Sequence, residues 1–183
     1  NGFNCAPLSI DGYTLLGDLN GHRYFKALTP LSWHDARNAA NALGGHLVTV
    51  TSAEEDSLFY GEGSFWTGLT DEDVEGQWTW ITGEPVSYTN WESIQPDNSG
   101  LGPGSDYGIF NYSGTLWDDQ SNLGGWRAYV VEFECSLDQI EGLESGATYP
   151  AGITTNTFTA YDASGGLELC SFQVNVQVDS TVR

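Results

Sequence analysis

The stretch from Gln95 to Asp119 constrains this chain more than any other. It opens with Gln95-Pro96-Asp97, passes through a glycine-rich loop to Asp106, and closes with Trp117-Asp118-Asp119. Two clusters of amide and carboxylate oxygens flanking a loop supply what a hard divalent cation needs. Calcium takes about six to eight oxygen ligands and tolerates irregular geometry. The proline beside the first cluster suits a fixed turn, and a cis bond before it is open to X-Pro although trans dominates. The competing reading is an acidic surface loop. The surroundings of the two clusters decide between them.

Composition points to an extracellular setting. The chain has 183 residues, enough for one large domain or a domain with a small module. Five Lys and Arg against 25 Asp and Glu give a net charge of −20. That balance argues against nucleic acid, which is bound through clustered Lys and Arg, and against adhesion to anionic membranes. No apolar run approaches the roughly 20 residues of a membrane-spanning helix. Methionine is absent, which fits a mature chain whose signal segment was removed.

Local patterns give an α+β reading. Tyr13–Leu16 and His22–Phe25 flank Asn20-Gly21, a hairpin signal. Ser32 is placed to cap a helix in which Trp33, Ala36, Ala39, Ala40 and Leu43 recur at helical spacing before Gly44 stops it. Ser52 with Glu55 reads as a capping box for a short second helix carrying Leu58 and Phe59. Glu54, Glu55 and Asp56 read as a solvated face of that helix. From Phe65 onward the chain is strands and long loops. Trp66, Trp78, Trp80 and Trp117 stand at strand spacing and are assigned to the core rather than to sugar stacking.

Residues 12–134 resemble a C-type lectin-like domain. The resemblance rests on Trp33-His34-Asp35-Ala36 through Gly44-Gly45-His46-Leu47-Val48, and on Phe65-Trp66-Thr67-Gly68-Leu69. It continues in Trp78-Thr79-Trp80, Gly83-Glu84-Pro85 and Tyr88-Thr89-Asn90-Trp91, then in the Gln-Pro-Asp and Trp-Asp-Asp motifs. Tyr129-Val130-Val131-Glu132-Phe133-Glu134 matches the closing strand. The implied fold has two helices, antiparallel sheets and a long loop. The implied cofactor is Ca2+, held at a sugar site by Gln95, Asp97, Ser105, Asp118 and Asp119. Ser105 departs from the family, which places a glutamate there, while Asp118 replaces the usual asparagine and returns a charge. An auxiliary calcium would fall to Asp71, Glu75, Asn98 and Asp106, with Asn98 replacing an aspartate.

The implied mechanism has two vicinal hydroxyls of a pyranose completing the calcium shell while hydrogen-bonding Gln95, Asp97, Asp118 and Asp119. By resemblance, Gln-Pro-Asp implies galactose or N-acetylgalactosamine, although Asn98-Ser99-Gly100-Leu101-Gly102 lacks the stacking aromatic of galactose readers. Val131 and Tyr107 occupy positions where the family often carries disulfide cysteines. The three cysteines lie elsewhere. Cys135–Cys170 is the favoured pair, with Cys5–Cys170 as the main alternative. Asn111-Tyr112-Ser113 is a glycosylation sequon.

Residues 135–183 resemble the second half of a hyaline-repeat (HYR) domain, an immunoglobulin-like fold of extracellular adhesion proteins. The residues carrying this are Gly142–Gly146, Tyr149–Gly152, Thr154–Gly165 and Cys170–Val176. A partial sandwich leaves strand edges open. Residues 1–11 could supply a missing strand, a neighbouring copy could donate one, or the strands could pack as an accessory sheet on the lectin-like domain. His22, His34 and His46 have no metal-ligand spacing and are read as structural. No nucleophile elbow or phosphate loop is present, so no enzyme is expected. The expectation is a secreted or cell-surface, calcium-dependent module of an adhesin that binds glycans. The alternative is a homo-oligomeric filament or matrix subunit; ice binding, known for this fold, is a third.

Overall fold

The Asn20-Gly21 turn behaves as its residues require. Both residues take positive φ, 50° and 90°, which a two-residue hairpin of this hand needs. It joins β1 (Tyr13–Leu19) to β2 (His22–Ala27), with Leu19 opposite His22. The computed structural model describes residues 7, 9–99, 104–110, 115–122, 125–134, 137–144, 146–161 and 167–177. The expected Cys135–Cys170 and Cys5–Cys170 pairings and the Asn111 sequon lie outside the described residues and side chains.

Two short helices follow from their caps. In α1 (Trp33–Ala42) the Ser32 hydroxyl accepts the Asp35 amide at 3.3 Å, and Trp33, Ala36 and Ala40 are buried. The helix ends at Leu43, and Gly44 takes φ 82°. After β3 (His46–Leu47) comes α2 (Ala53–Leu58), where Ser52 Oγ accepts the Glu55 amide at 3.2 Å. The capping box is shifted by one residue: the Glu55 carboxylate reaches the Thr51 amide at 2.7 Å.

The solvated-face reading of α2 is wrong for two of its three acids. Glu55 is 7% exposed and Asp56 is 0% exposed. Burial of a carboxylate is tolerated only where donors satisfy it. Tyr24 Oη donates to Glu55 at 2.6 Å, and Asp56 accepts from Trp117 Nε1 at 2.7 Å and Asn90 Nδ2 at 2.8 Å. A six-residue helix has too few turns for an acidic run to show which side faces inward.

The remaining strands before residue 135 are β4 (Phe65–Thr70), β5 (Thr79–Trp80), β6 (Tyr107–Phe110), β7 (Trp117–Gln120) and β8 (Ala128–Glu134). They form one sheet in the order β1-β2-β8-β4-β6-β7, with β3 paired to β8 and β5 to β4. Contacts divide the chain into two units, Leu8–Glu134 and a second of Asn1–Pro7 with Cys135–Arg183. In the second unit, β9 (Leu137–Glu141), β10 (Gly152–Tyr161) and β11 (Leu167–Val176) make a three-stranded antiparallel sheet with β10 central.

Aromatic packing fills the first unit. Phe65 stacks on Phe110 with centroids 4.9 Å apart, and Phe59 meets both edge-on. Trp66, Trp80 and Trp117 are buried as expected, while Trp78 is half-buried against the same core. Where the family often has a cysteine, Tyr107 packs its ring 4.5 Å from that of Trp33. Its hydroxyl donates to Glu72 at 2.6 Å. Replacing Tyr107 by Ala should therefore cost about 3–5 kcal/mol, the range for removing a buried aromatic. Denaturant unfolding checks this, and a loss below ~1 kcal/mol would show that the ring is not part of the core.

Candidate metal centre

One oxygen cluster is built by a turn and the other by a strand. The Gln95–Pro96 bond is cis. Gln95 Oε1 accepts the Asp97 amide at 3.0 Å, and Asp97 Oδ1 accepts the Ser99 amide at 3.0 Å. These short-range bonds replace secondary structure in a segment that has none. On the other side, β7 pairs Asp119 with Gly108 and Asp118 with Ile109. Alternation along that strand leaves Asp118 half-buried and Asp119 buried.

The two clusters meet at Asp119, which is 3% exposed. One of its oxygens accepts the Asp97 amide at 2.9 Å, and the other accepts the Asn98 amide at 2.8 Å. Residues more than twenty positions apart in sequence are thus joined through one carboxylate. Asn98 links the sugar-site set to the auxiliary set. Its Nδ2 donates to Glu75 at 2.9 Å, and its Oδ1 accepts the Ser105 amide at 2.6 Å. Asn98 sits at φ 54°, a region that asparagine tolerates better than most residues.

The auxiliary set gathers at the end of β4. Asp71 is 4% exposed, and its amide donates to the Asp106 carbonyl at 3.1 Å. Its Oδ2 accepts the Gly76 amide at 2.8 Å, but its buried Oδ1 has no protein partner. A buried oxygen without a donor is costly, and a cation is one group that would satisfy it. A Cβ at Gly104 would collide with the Asp106 carboxylate, so that glycine leaves the space the carboxylate fills. Glu72 points the other way, accepting from Tyr107 and lying 2.9 Å from His34 Nε2. Burial pushes the Glu72 carboxyl up, but the Tyr107 and His34 hydrogen bonds bring it below its usual value overall.

Electrostatics in both sets favours a positive charge. Burial, then Glu75 and Asp106, raise the Asp71 carboxyl above its ordinary value of 3.8. Burial, then Glu75, Glu72 and Asp119, raise Asp106. Burial raises Asp118 most, with Asp119 and Asp97 adding to it. Among the described residues, no three His, Cys, Asp or Glu side chains close on a metal by themselves. The donor set is mixed, with Gln95, Asn98 and Ser105 standing among the carboxylates. Hard oxygen donors, mutual repulsion and an orphaned buried oxygen fit calcium in chemical type.

Hydrogen bonds thus join Gln95, Asp97, Asn98 and Asp119 with Glu75 and Ser105, and a backbone bond joins Asp71 to Asp106. Asp118 instead bonds its neighbours Asp119 and Gln120, and Ser105 is buried at 2% exposure beside Asn98. The sequence reading missed what supports them, namely the His34–Glu72–Tyr107 set and the bonds of Asp56 to Asn90 and Trp117. The three histidines are in polar contacts with acids, including His22 Nδ1 2.5 Å from Glu132.

Comparison with known proteins shows the family of the fold that carries these residues. The family model for the C-type lectin domain matches residues 29–122. C-type lectin domain family 4 member M of Symphalangus syndactylus is 35% identical over 128 residues, covering 65% of this chain and 29% of that protein. The CD209 antigen of Homo sapiens is 31% identical over 140 residues, covering 71% of this chain and 33% of that protein. The chain thus spans about a third of the length of these curated relatives. The solved carbohydrate-recognition domain of the mouse scavenger receptor C-type lectin superposes with a TM-score of 0.59 at 30% identity. That match covers 68% of this chain and 94% of the mouse domain.

The raised carboxyls carry a pH signature. Between the ordinary value of 3.8 and their folded values, Asp71, Asp106 and Asp118 bind more protons folded than unfolded. Their contribution to stability without calcium is present at low pH and lost as pH rises through that window. A cation held by the same oxygens would compete with those protons, so its affinity should weaken as pH falls. Urea midpoints in EGTA across this range should give a flatter pH slope for Asp71→Asn than for the wild type. An unchanged slope would contradict the assignment.

Proposed function

The chain belongs to the C-type lectin domain family, and on that premise we propose that it is a calcium-dependent carbohydrate-binding domain of a secreted or surface-attached protein. The matched relatives are lectins, not enzymes. The observation that carries the reading is the Asp119 carboxylate receiving the amides of Asp97 and Asn98. That bond puts the Gln-Pro-Asp turn against the Trp-Asp-Asp strand, where one ion could be shared by both.

In this reading Gln95, Asp97, Ser105, Asp118 and Asp119 hold the sugar-site calcium, and Asp71, Glu75, Asn98 and Asp106 hold the auxiliary one. When bound, the sugar-site ion supplies coordination for two vicinal hydroxyls. Asp97, Asp118 and Asp119 accept hydrogen bonds from those hydroxyls, while the Gln95 amide offers both donor and acceptor. By its family resemblance, the Gln95-Pro96-Asp97 motif favours galactose or N-acetylgalactosamine. Loss of the glutamate at Ser105 weakens the cage, and extracellular calcium modules function at dissociation constants of about 10⁻⁴–10⁻³ M. The auxiliary set steadies the loop through the Glu75–Asn98 bond.

Extracellular or surface placement is supported by the relatives and by the acid-rich surface. Among the described residues no helix is long and apolar enough to cross a membrane. Single sites of this kind are weak, so adhesion would draw on several copies. A second reading, a subunit of a filament or matrix, is supported by the small sheet in which β11 lies at one edge. The antiparallel β9-β10-β11 sheet supports an immunoglobulin-like (HYR) module after the lectin domain.

A glycan array in millimolar calcium, repeated in excess EGTA, tests the function. Calcium-dependent signal on terminal galactose or N-acetylgalactosamine is expected, together with its loss in Asp119→Asn. Silence of folded, multivalently displayed protein in both conditions would move the assignment to structural assembly, which size-exclusion chromatography would show as large species.

A further inference from the structure

Asp56 is a fully buried acid on a six-residue helix, outside the ligand set. Its Oδ1 accepts Trp117 Nε1 at 2.7 Å, and its Oδ2 accepts Asn90 Nδ2 at 2.8 Å and Tyr60 Oη at 3.0 Å. Trp117 begins the strand that carries Asp118 and Asp119. Asn90 begins the segment that leads to Gln95 and Asp97. One carboxylate from a third element therefore grips both arms of the candidate site, one with each oxygen.

The backbone continues the same connection. The Trp117 amide donates to the Asn90 carbonyl at 2.8 Å, and the Glu92 amide donates to the Trp117 carbonyl at 2.9 Å. The Gln95 amide in turn donates to the Glu92 carbonyl at 2.8 Å. Asn90 Nδ2 also reaches the Thr115 carbonyl at 2.8 Å, just ahead of β7. The Asn90–Gln95 segment has no helix or strand of its own beyond the Trp91–Trp117 bridge. What keeps it parallel to β7 is this set of bonds, anchored at Asp56.

We propose that Asp56 is a positioning residue for calcium and sugar binding, setting the spacing between the Gln95–Asp97 turn and the Asp118–Asp119 strand by holding Asn90 and Trp117 on one carboxylate. The calcium part of this proposal rests on the reading of function given above. Asp56 touches neither ion nor sugar and acts through the two side chains it holds. Outer contacts that orient ligands are worth about 10–100-fold in metal affinity. Asparagine in its place preserves volume but turns one acceptor into a donor, which then faces either the indole N–H or the Asn90 amide.

The test uses the full chain as Asp56→Asn, Asn90→Ala and wild type. Calcium titration calorimetry should show affinity at least about tenfold weaker in Asp56→Asn. Amide hydrogen exchange in EGTA supplies a readout that does not need the ion. Exchange at Gln95, Asp97, Asn98 and Asp119 should quicken in Asp56→Asn, while the β2–β8 amides stay as in wild type. Asn90→Ala should quicken the Gln95–Asn98 amides and leave those of β7 protected, and it carries the test if Asp56→Asn does not fold. Unchanged exchange and affinity would overturn the proposal, as would exchange that rises equally across the sheet, the mark of a merely structural acid. If wild-type protein takes up no calcium, the functional reading falls, and the exchange pattern still decides the positioning role.

Discussion

Asp119 accepts the amides of Asp97 and Asn98 through separate oxygens, and the rest of the candidate site depends on that contact. The Gln95–Asn98 turn lies outside the strands of the sheet; short-range bonds shape it, and bonds to Glu75, Ser105 and the Glu92 carbonyl tie it to the rest of the fold. Asp119 is the side chain of β7 that ties the turn itself to that strand. The contact is strong because a charged acceptor meets backbone donors in a buried setting. It also requires β7 to present Asp119 inward, which the strand's alternation does once Trp117 is locked into the core.

The cost of the arrangement is electrostatic. Asp71, Asp106 and Asp118 all have raised carboxyls, with burial as the leading cause and neighbouring acids adding to it. A chain with net charge −20 has few cations of its own to set against them. Neutral donors serve instead. Trp117 and Asn90 satisfy Asp56, Tyr24 and Thr51 satisfy Glu55, and Gly76 satisfies half of Asp71. The unsatisfied half, Asp71 Oδ1, is where a bound cation has most to offer.

Much of this was legible in the sequence because the signals were local. Asn20-Gly21 specified its turn, Ser32 and Ser52 capped their helices, and the tryptophans of the strands were assigned inward on spacing. The Gln95-Pro96-Asp97 and Trp117-Asp118-Asp119 motifs were legible as oxygen clusters because each is contiguous in sequence, whereas the Asp119 bonds that join them are not. What escaped were contacts made across the fold. Glu55 and Asp56 read as solvated because nothing near them in sequence announces Tyr24, Asn90 or Trp117 as partners. The His34–Glu72–Tyr107 set escaped for the same reason, with its members up to 73 positions apart. Tyr107 was noted only as a missing cysteine, yet it anchors that set and packs on Trp33.

We propose that two groups of oxygens, linked through Asn98, each hold a calcium ion. Calorimetric titration of purified chain with calcium, alongside Asp119→Asn and Asp71→Asn, tests it most directly. Two binding events are expected in the wild type, with the sugar-site event lost in Asp119→Asn and the auxiliary one in Asp71→Asn. A folded wild-type chain that takes up no calcium, or variants that bind as it does, would contradict it.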